Sequence, residues 1–170
     1  GPYYVFFSIH LEEVGYSAPA IGLLWGMAVA CEVAAMLRVP AILDRFGTLP
    51  FMALCLLLSS VRWWICSAGA APAMMAAAQA LHAASFAAFH VAAVTHTHRL
   101  FGGDRRASGQ AIYGSVTYGA GNILGMLGSG LLYERGAVSD LFACASWVAL
   151  LGGLLVIAAA RRGARPGRGL

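Results

Sequence analysis

Lysine is absent from this 170-residue chain, and charge of either sign is scarce: eleven arginines and seven acidic residues make 11% in all. A soluble domain carries roughly 25% charged residues. So sparse a supply cannot solvate a disordered chain. Nor do eleven scattered arginines build the dense basic face that nucleic acid requires, despite a net charge of +4 and a pI near 9.1. The four cysteines, Cys31, Cys55, Cys66 and Cys144, stand singly in apolar stretches, with no Cys-x-x-Cys and no histidine at zinc-ligand spacing. They read as small buried hydrophobes rather than a disulfide or metal framework; no metal or cofactor is expected. What the chain does have is apolar surface. Hydrophobic residues make up 60% of it and the mean hydropathy is +0.75, which places it in a membrane.

A helix needs about 20 apolar residues to cross roughly 30 Å of hydrocarbon. Five stretches qualify, at about 18–43, 49–66, 71–95, 108–133 and 138–160. The short segments between them hold the turn and charge signals: Glu12-Glu13-Val14-Gly15, Asp44-Arg45-Phe46-Gly47, Arg99 to Arg106, and Glu134-Arg135-Gly136. Such spacing makes consecutive helices antiparallel neighbours in a bundle. The opening segment, about 1–11, is apolar and aromatic, yet its apolar stretch covers only about half a bilayer at 1.5 Å per residue. It has no charged n-region and is not a signal peptide. The expectation is an all-α polytopic membrane bundle, with a truncated first span and five complete ones over residues 1–160. A basic tail, 161–170, follows.

Arginine gathers in cytoplasmic loops. Assigning alternate loops to two sides gives one side Arg45, Arg99, Arg105, Arg106, Arg161, Arg162, Arg165 and Arg168. The other side receives Arg135 alone, with the acidic Glu12, Glu13, Glu134 and Asp140. The distribution predicts a cytoplasmic C-terminus and a first segment running from inside to outside. It also accounts for the tail as a topology signal rather than a lipid or nucleic-acid site.

An ionisable residue within a span is costly and usually faces a cavity or a partner. Glu32, Arg38 and Arg62 qualify; His82, His90, Gln79, Gln110 and Asn122 are weaker cases. Arg38 is close enough to the cytoplasmic end to snorkel. Glu32 lies near mid-span, and Arg38, six positions on, is on another face, so its partner must come from another helix. Arg62 has no acidic residue in its own span and the same need. His82 sits at about the depth of Glu32, and Arg62 can reach inward, so the three fall within reach of one midplane cluster. Aromatic residues surround it. Phe86 is one turn from both His82 and His90, and Trp25 is two turns from Glu32; these faces, with Tyr4 and Tyr118 nearby, suit an apolar pocket carrying a few placed polar groups. The 108–133 span is rich in glycine, and its Gly121-xxx-Gly125-xxx-Ser129 run allows close helix approach. Asn122 lies near its midplane.

Spans, loops and motifs together resemble the C-terminal half of a major facilitator superfamily transporter, above all the phenylpropionate permease family with its lactose-permease and nucleoside–proton symporter relatives. The likeness is carried by Tyr3 through Leu11, Gly15-Tyr16-Ser17, Ile21 through Trp25, Glu32, Arg62-Trp63, Gln79 to His90, and Gly109 through Tyr113. Asp44-Arg45-Phe46-Gly47 looks like the superfamily's cytoplasmic-loop signature, a conformational latch. Pro40 stands where that signature usually has glycine, and Thr48 where it has a basic residue. In lactose permease an acidic residue, an arginine and a histidine on three successive helices handle sugar and proton. Glu32, Arg62 and His82 are similar in order and spacing, while Ser85 stands where that family has a glutamate. The resemblance implies a proton-coupled secondary transporter of the inner membrane, working by alternating access on a small organic acid such as a phenylpropionate-like aromatic carboxylate. Arg62 would face the carboxylate, and Glu32 or His82 would carry the proton. It also implies an N-terminal six-helix half as partner, without which this half does not transport. A nucleoside or sugar symporter is the alternative within the superfamily.

Other classes fit less well. An intramembrane hydrolase needs a serine and a histidine base on facing helices; Ser115 is available, but the last span lacks histidine and only His82 and His90 remain. A metal carrier is prompted by His96-Thr97-His98, yet these lie among arginines, where a cation is disfavoured. No enzymatic activity is expected.

Overall fold

Glycines with positive φ punctuate the N-terminal part of the chain. Helix α1, Tyr3–Glu13, stops in a Schellman turn. Gly15 adopts φ 90°, its N–H donates to the Glu12 carbonyl at 3.0 Å, and the Tyr16 N–H donates to the Leu11 carbonyl at 2.9 Å. That pair satisfies carbonyls the helix end would otherwise orphan. Helix α2, Ala18–Phe46, carries Pro19 in its first turn, where a missing N–H is harmless. It ends at Gly47, φ 77°, whose N–H donates to the Leu43 carbonyl, and α3, Thr48–Ala68, begins at the next residue.

The computed structural model describes residues 3–163. Beyond α3, a long rod consists of α4, Pro72–Ala83, and α5, Phe89–Leu100, joined by a π-helical segment at Ala84–Ala88. The next rod is built alike: α6, Arg106–Gly114, and α7, Gly121–Tyr133, meet through a π segment at Ser115–Ala120. Helix α8, Val138–Gly163, closes the bundle. Six rods thus form an all-α bundle with no strand among the described residues. Four are long and apolar enough to cross a membrane: Ala18–Phe46, Thr48–Ala68, Pro72–Leu100 and Val138–Arg162. The α6–α7 rod, expected to be a span, is not among those four; its glycines, with Gln110, Thr117 and Asn122, dilute its apolar character. Arg161 and Arg162 continue α8 instead of opening a separate tail. Residues 164–170 of that expected tail, and Gly1 and Pro2, lie outside the described residues.

The centre of the bundle is α3, which packs most extensively on α8 and also on α4 and α5; α2 packs on α4 and its π segment. Small residues let α3 and α8 approach. Gly152 faces Leu56 and Gly153 faces Leu57, while Ser146 Oγ donates to the Ser60 carbonyl at 2.8 Å. One buried apolar cluster joins Tyr3, Phe6, Phe7 and Leu11 of α1 to Cys66, Met75, Leu141 and Phe142; a second joins Val39, Leu43, Cys55, Ala88 and Ala92. Many large apolar side chains point outward instead, among them Leu23, Leu37, Leu131 and Leu155, as a lipid-facing surface requires.

Gly109 is set by contact rather than by φ. A Cβ there would lie 2.5 Å from Cγ and 2.8 Å from Cβ of Phe101, atoms too close to the backbone to swing aside. Gly109→Ala is therefore expected to lose about 1–3 kcal/mol by overpacking, outweighing a helix-propensity gain of about 1 kcal/mol or less. Adding Phe101→Ala should recover most of the loss. Thermal unfolding of the detergent-purified protein measures both; simply additive losses would show that the two residues do not meet.

Candidate functional site

One stripe of the Pro72–Leu100 rod carries Gln79, His82, Phe86 and His90, spaced at three and four residues so that they share a face. The π segment falls between His82 and His90 without breaking the stripe. The Phe86 ring stacks on both imidazoles, with centroids 5.9 Å from His82 and 6.5 Å from His90 and interplanar angles of 11° and 12°.

Glu32, from the middle of α2, meets this stripe directly. Its Oε1 lies 2.8 Å from His82 Nε2, with the Glu32 side chain 16% exposed and that of His82 5%. The other imidazole nitrogen, His82 Nδ1, is buried and has no hydrogen-bond partner among the described residues. The expected partnership of Glu32 with another helix therefore takes the form of a histidine bond.

Arg62 is arranged differently. Its side chain is buried, with the residue 1% exposed, and Nε donates to the Ala78 carbonyl at 3.1 Å. The guanidinium carbon lies 4.2 Å from the ring centroid of Tyr3 and 4.3 Å from that of Trp63, close enough for the ring quadrupoles to attract the cation. Nη2 has no hydrogen-bond partner among the described residues. Arg62 thus shares the neighbourhood of Glu32 and His82 but is held by rings and a carbonyl, not by a carboxylate.

Tyr3 ties the site together, and the sequence signal for it was weak because a short first segment gives no helical period to fix its face. Its ring lies 4.4 Å from His82 and 4.8 Å from Trp25, and its hydroxyl donates to Gln79 Oε1 at 2.8 Å. Gln79 passes the chain on, donating from Nε2 to the Leu24 carbonyl at 3.1 Å. Gln79 was legible as one turn before His82. Tyr4 is half exposed and stacks on Trp25 at 5.6 Å, and the Trp25 indole donates to Ser8 Oγ at 3.1 Å.

A cavity of about 640 Å³ opens beside these groups, lined by Tyr3, Tyr4, Arg62, Trp63, His82 and Phe86 on one side and by residues of α7 and α8, including Gly125, Gly128, Ser129 and Cys144, on the other. The glycines leave it wide, and Ser129 turns its hydroxyl back to the Gly125 carbonyl at 2.6 Å. Four of the expected residues are outside this lining: Glu32 and Trp25 meet it only through His82, Tyr3 and Tyr4, and Asn122 and Tyr118 stand apart. Asn122 is exposed and lines no part of this cavity, because its depth along the helix was legible but its direction around the axis was not. Tyr118 also lies outside it and bonds His90 Nδ1 at 2.7 Å, with Tyr113 3.5 Å from the same atom.

At the arginine-rich end, Asp44 lies 3.9 Å from Arg99 Nη2, both well exposed. The sequence neighbour Arg45 instead stacks over Phe46 at 5.5 Å, and Gly47 supplies the turn. The loop is thus tied across to α5, reinforced by a 2.8 Å bond between Thr48 Oγ1 and His96 Nδ1. Ser115 lies in the π segment, and among the described residues no hydrogen bond joins it to His82 or His90. Among the described residues no group of three His, Cys, Asp or Glu is placed to hold a metal ion.

Comparison with known proteins fits this architecture. The chain is 29% identical over 132 residues to a protein of Escherichia coli (strain K12) named "Probable 3-phenylpropionic acid transporter", an alignment covering 78% of this chain and 35% of that relative. The chain thus spans about a third of the relative's length. No solved structure matches it. The profile of the MFS_1 like family, MFS denoting the major facilitator superfamily, matches residues 1–144, and this multi-pass helical membrane chain belongs to that family.

Proposed function

We propose that the chain is the C-terminal half of a proton-coupled secondary transporter that carries a small aromatic carboxylate by alternating access. One observation carries the reading: a buried guanidinium with an unused donor, Arg62 Nη2, at the wall of a largely apolar cavity rimmed by aromatic rings. Burying a cation without a counter-charge is costly, and a visiting carboxylate offsets that cost through charge-assisted hydrogen bonds. The rings of Tyr3, Tyr4, Trp63 and Phe86 offer stacking surface for an aromatic body. The name of the E. coli relative agrees with such a substrate.

Glu32 and His82 are the coupling pair. A proton gained there removes an intramembrane charge, and a change of charge biases which of two conformations is favoured. The partner surface is an N-terminal six-helix half, against which this half rocks. The arginine asymmetry supports an inner-membrane location with the C-terminus cytoplasmic, and the Asp44–Arg99 pair serves as the cytoplasmic latch.

Two outcomes are expected in the full-length protein reconstituted in vesicles. Glu32→Gln should abolish uphill accumulation of 3-phenylpropionate while leaving exchange across the membrane intact; undiminished accumulation would remove Glu32 from coupling. Arg62→Gln should raise KM for 3-phenylpropionate at least thirtyfold, the effect of losing about 2 kcal/mol or more from a buried charge contact. Uptake of the neutral amide should be much less affected, and equal loss for acid and amide would contradict carboxylate binding by Arg62.

A further inference from the structure

Helix α3 carries two stripes of different chemistry. Leu56, Ser59, Arg62 and Trp63 line the cavity described above. Pro50, Ala53, Leu54 and Leu57 follow the i, i+3, i+4, i+7 spacing of a separate face. That second stripe walls a groove of about 310 Å³, completed by Ile157, Ala160 and Arg161 of α8. Every lining residue is apolar except the arginine. We propose that this groove is a binding site for an anionic phospholipid, whose phosphate pairs with Arg161 while one acyl chain lies along Ala53, Leu54, Leu57 and Ile157. The site needs α3 and α8 to cross the membrane and does not depend on what the protein transports.

Side-chain size along the α3–α8 seam sets the shape of the groove. At its inner end the helices touch: a Cβ on Gly153 would lie 3.1 Å from Leu57 Cδ2 and 3.5 Å from the Ala53 carbonyl oxygen. One turn further along α8 stands Ile157, and one turn beyond that Arg161. Against them α3 offers only Ala53 and Pro50, too short to fill the space between the two axes. The groove therefore closes toward mid-membrane and opens toward the arginine-rich end. From Pro50 to Leu57 it runs about 10 Å at 1.5 Å per residue, roughly two-thirds of one leaflet of a 30 Å hydrocarbon core.

Both ends of the groove select the occupant. Its walls lie at hydrocarbon depth, where the surrounding solvent consists of acyl chains. Arg161 stands in the last turn of α8 and is exposed, and among the described residues no acidic side chain pairs with it. A guanidinium holds phosphate through paired, charge-assisted hydrogen bonds. In a zwitterionic lipid the phosphate already has an ammonium beside it; in phosphatidylglycerol it has none, so an unpaired arginine at the membrane surface favours the anionic lipid. Arg161, expected to open a tail that sets topology, instead continues α8 to the mouth of this groove. One side chain can serve both roles, because both draw on the same positive charge.

Native mass spectrometry of the full-length protein tests this, with release from micelles that contain phosphatidylglycerol or phosphatidylcholine of the same acyl chains. Wild type should hold one phosphatidylglycerol about fivefold or more tightly than phosphatidylcholine, the effect of one basic side chain at a membrane surface. Arg161→Gln should lose that preference, while Arg162→Gln, which removes an arginine outside the lining, should keep it. Ala160→Phe fills the groove with Arg161 still in place and should lose the same lipid. Glycerol phosphate, a headgroup without chains, should not displace phosphatidylglycerol. Equal binding of the two lipids to wild type overturns the proposal. So does equal loss in the Arg161 and Arg162 variants, which would mark diffuse surface charge. Displacement by glycerol phosphate would make this a free-anion site, and lipid-free dimers abolished by Ala160→Phe would put a second copy of the chain in the groove; either result refutes the lipid.

Discussion

An arginine with 1% of its surface exposed, inside a bundle made mostly of apolar side chains, dictates much of what surrounds it. Arginine stays charged in proteins, so the fold has to stabilise the cation where it stands. Arg62 receives a backbone carbonyl from Ala78 and the faces of Tyr3 and Trp63. A carboxylate would do so more strongly, yet the nearby acid is committed elsewhere. Glu32 bonds His82 instead. The cation is accommodated but not neutralised, a state suited to a group that must receive and release an anion.

The rest of the fold can be traced outward from that point. Tyr3 must cover the guanidinium, so α1, though short, is anchored by Phe7, Leu11 and the Gly15 turn. Ala78 must offer its carbonyl, and Gln79, the next residue, fixes the Tyr3 hydroxyl. Position 62 is carried on α3, the helix with the deepest contacts, so Arg62 is held where its environment is most rigid; the close seam with α8 at Gly152 and Gly153 serves that rigidity. Opposite it, the α7 wall is glycine-rich and lightly packed. One side of the cavity is thus built on the closest helix seam of the bundle and the other on glycine.

Much of this was legible in the sequence, for reasons that also mark the limits. Apolar runs measure distance along the membrane normal, so helix positions and the depths of Glu32 and His82 could be read directly. Direction around each axis could not. Asn122 has the right depth and faces outward, whereas Tyr3 had no period to fix its face and turns out to be central. The Asp44–Gly47 loop shows the same limit. Asp44 is adjacent to Arg45 in sequence, but the side chain that approaches it is Arg99, brought over by the packing of α5 on the bundle. The π segments had no compositional signal, since Ala84–Ala88 and Ser115–Ala120 share little beyond small residues.

The separation of Glu32 from Arg62 is the step that gives the site direction. Had the two formed a salt bridge, a substrate carboxylate would have to displace an internal one of equal charge, and proton binding would have to break a buried pair at high cost. With histidine between proton and cation, each charge has its own receiver. On the proposed reading, Glu32 and His82 would exchange a proton with little rearrangement, because a hydrogen bond of 2.8 Å needs only its proton to move. On the same reading, Arg62 would exchange anions while its rings stay in place. Two neighbouring receivers would make the occupied states with both ligands, or with neither, the ones in which added charge is balanced. That balance is the physical basis on which proton and carboxylate would travel together.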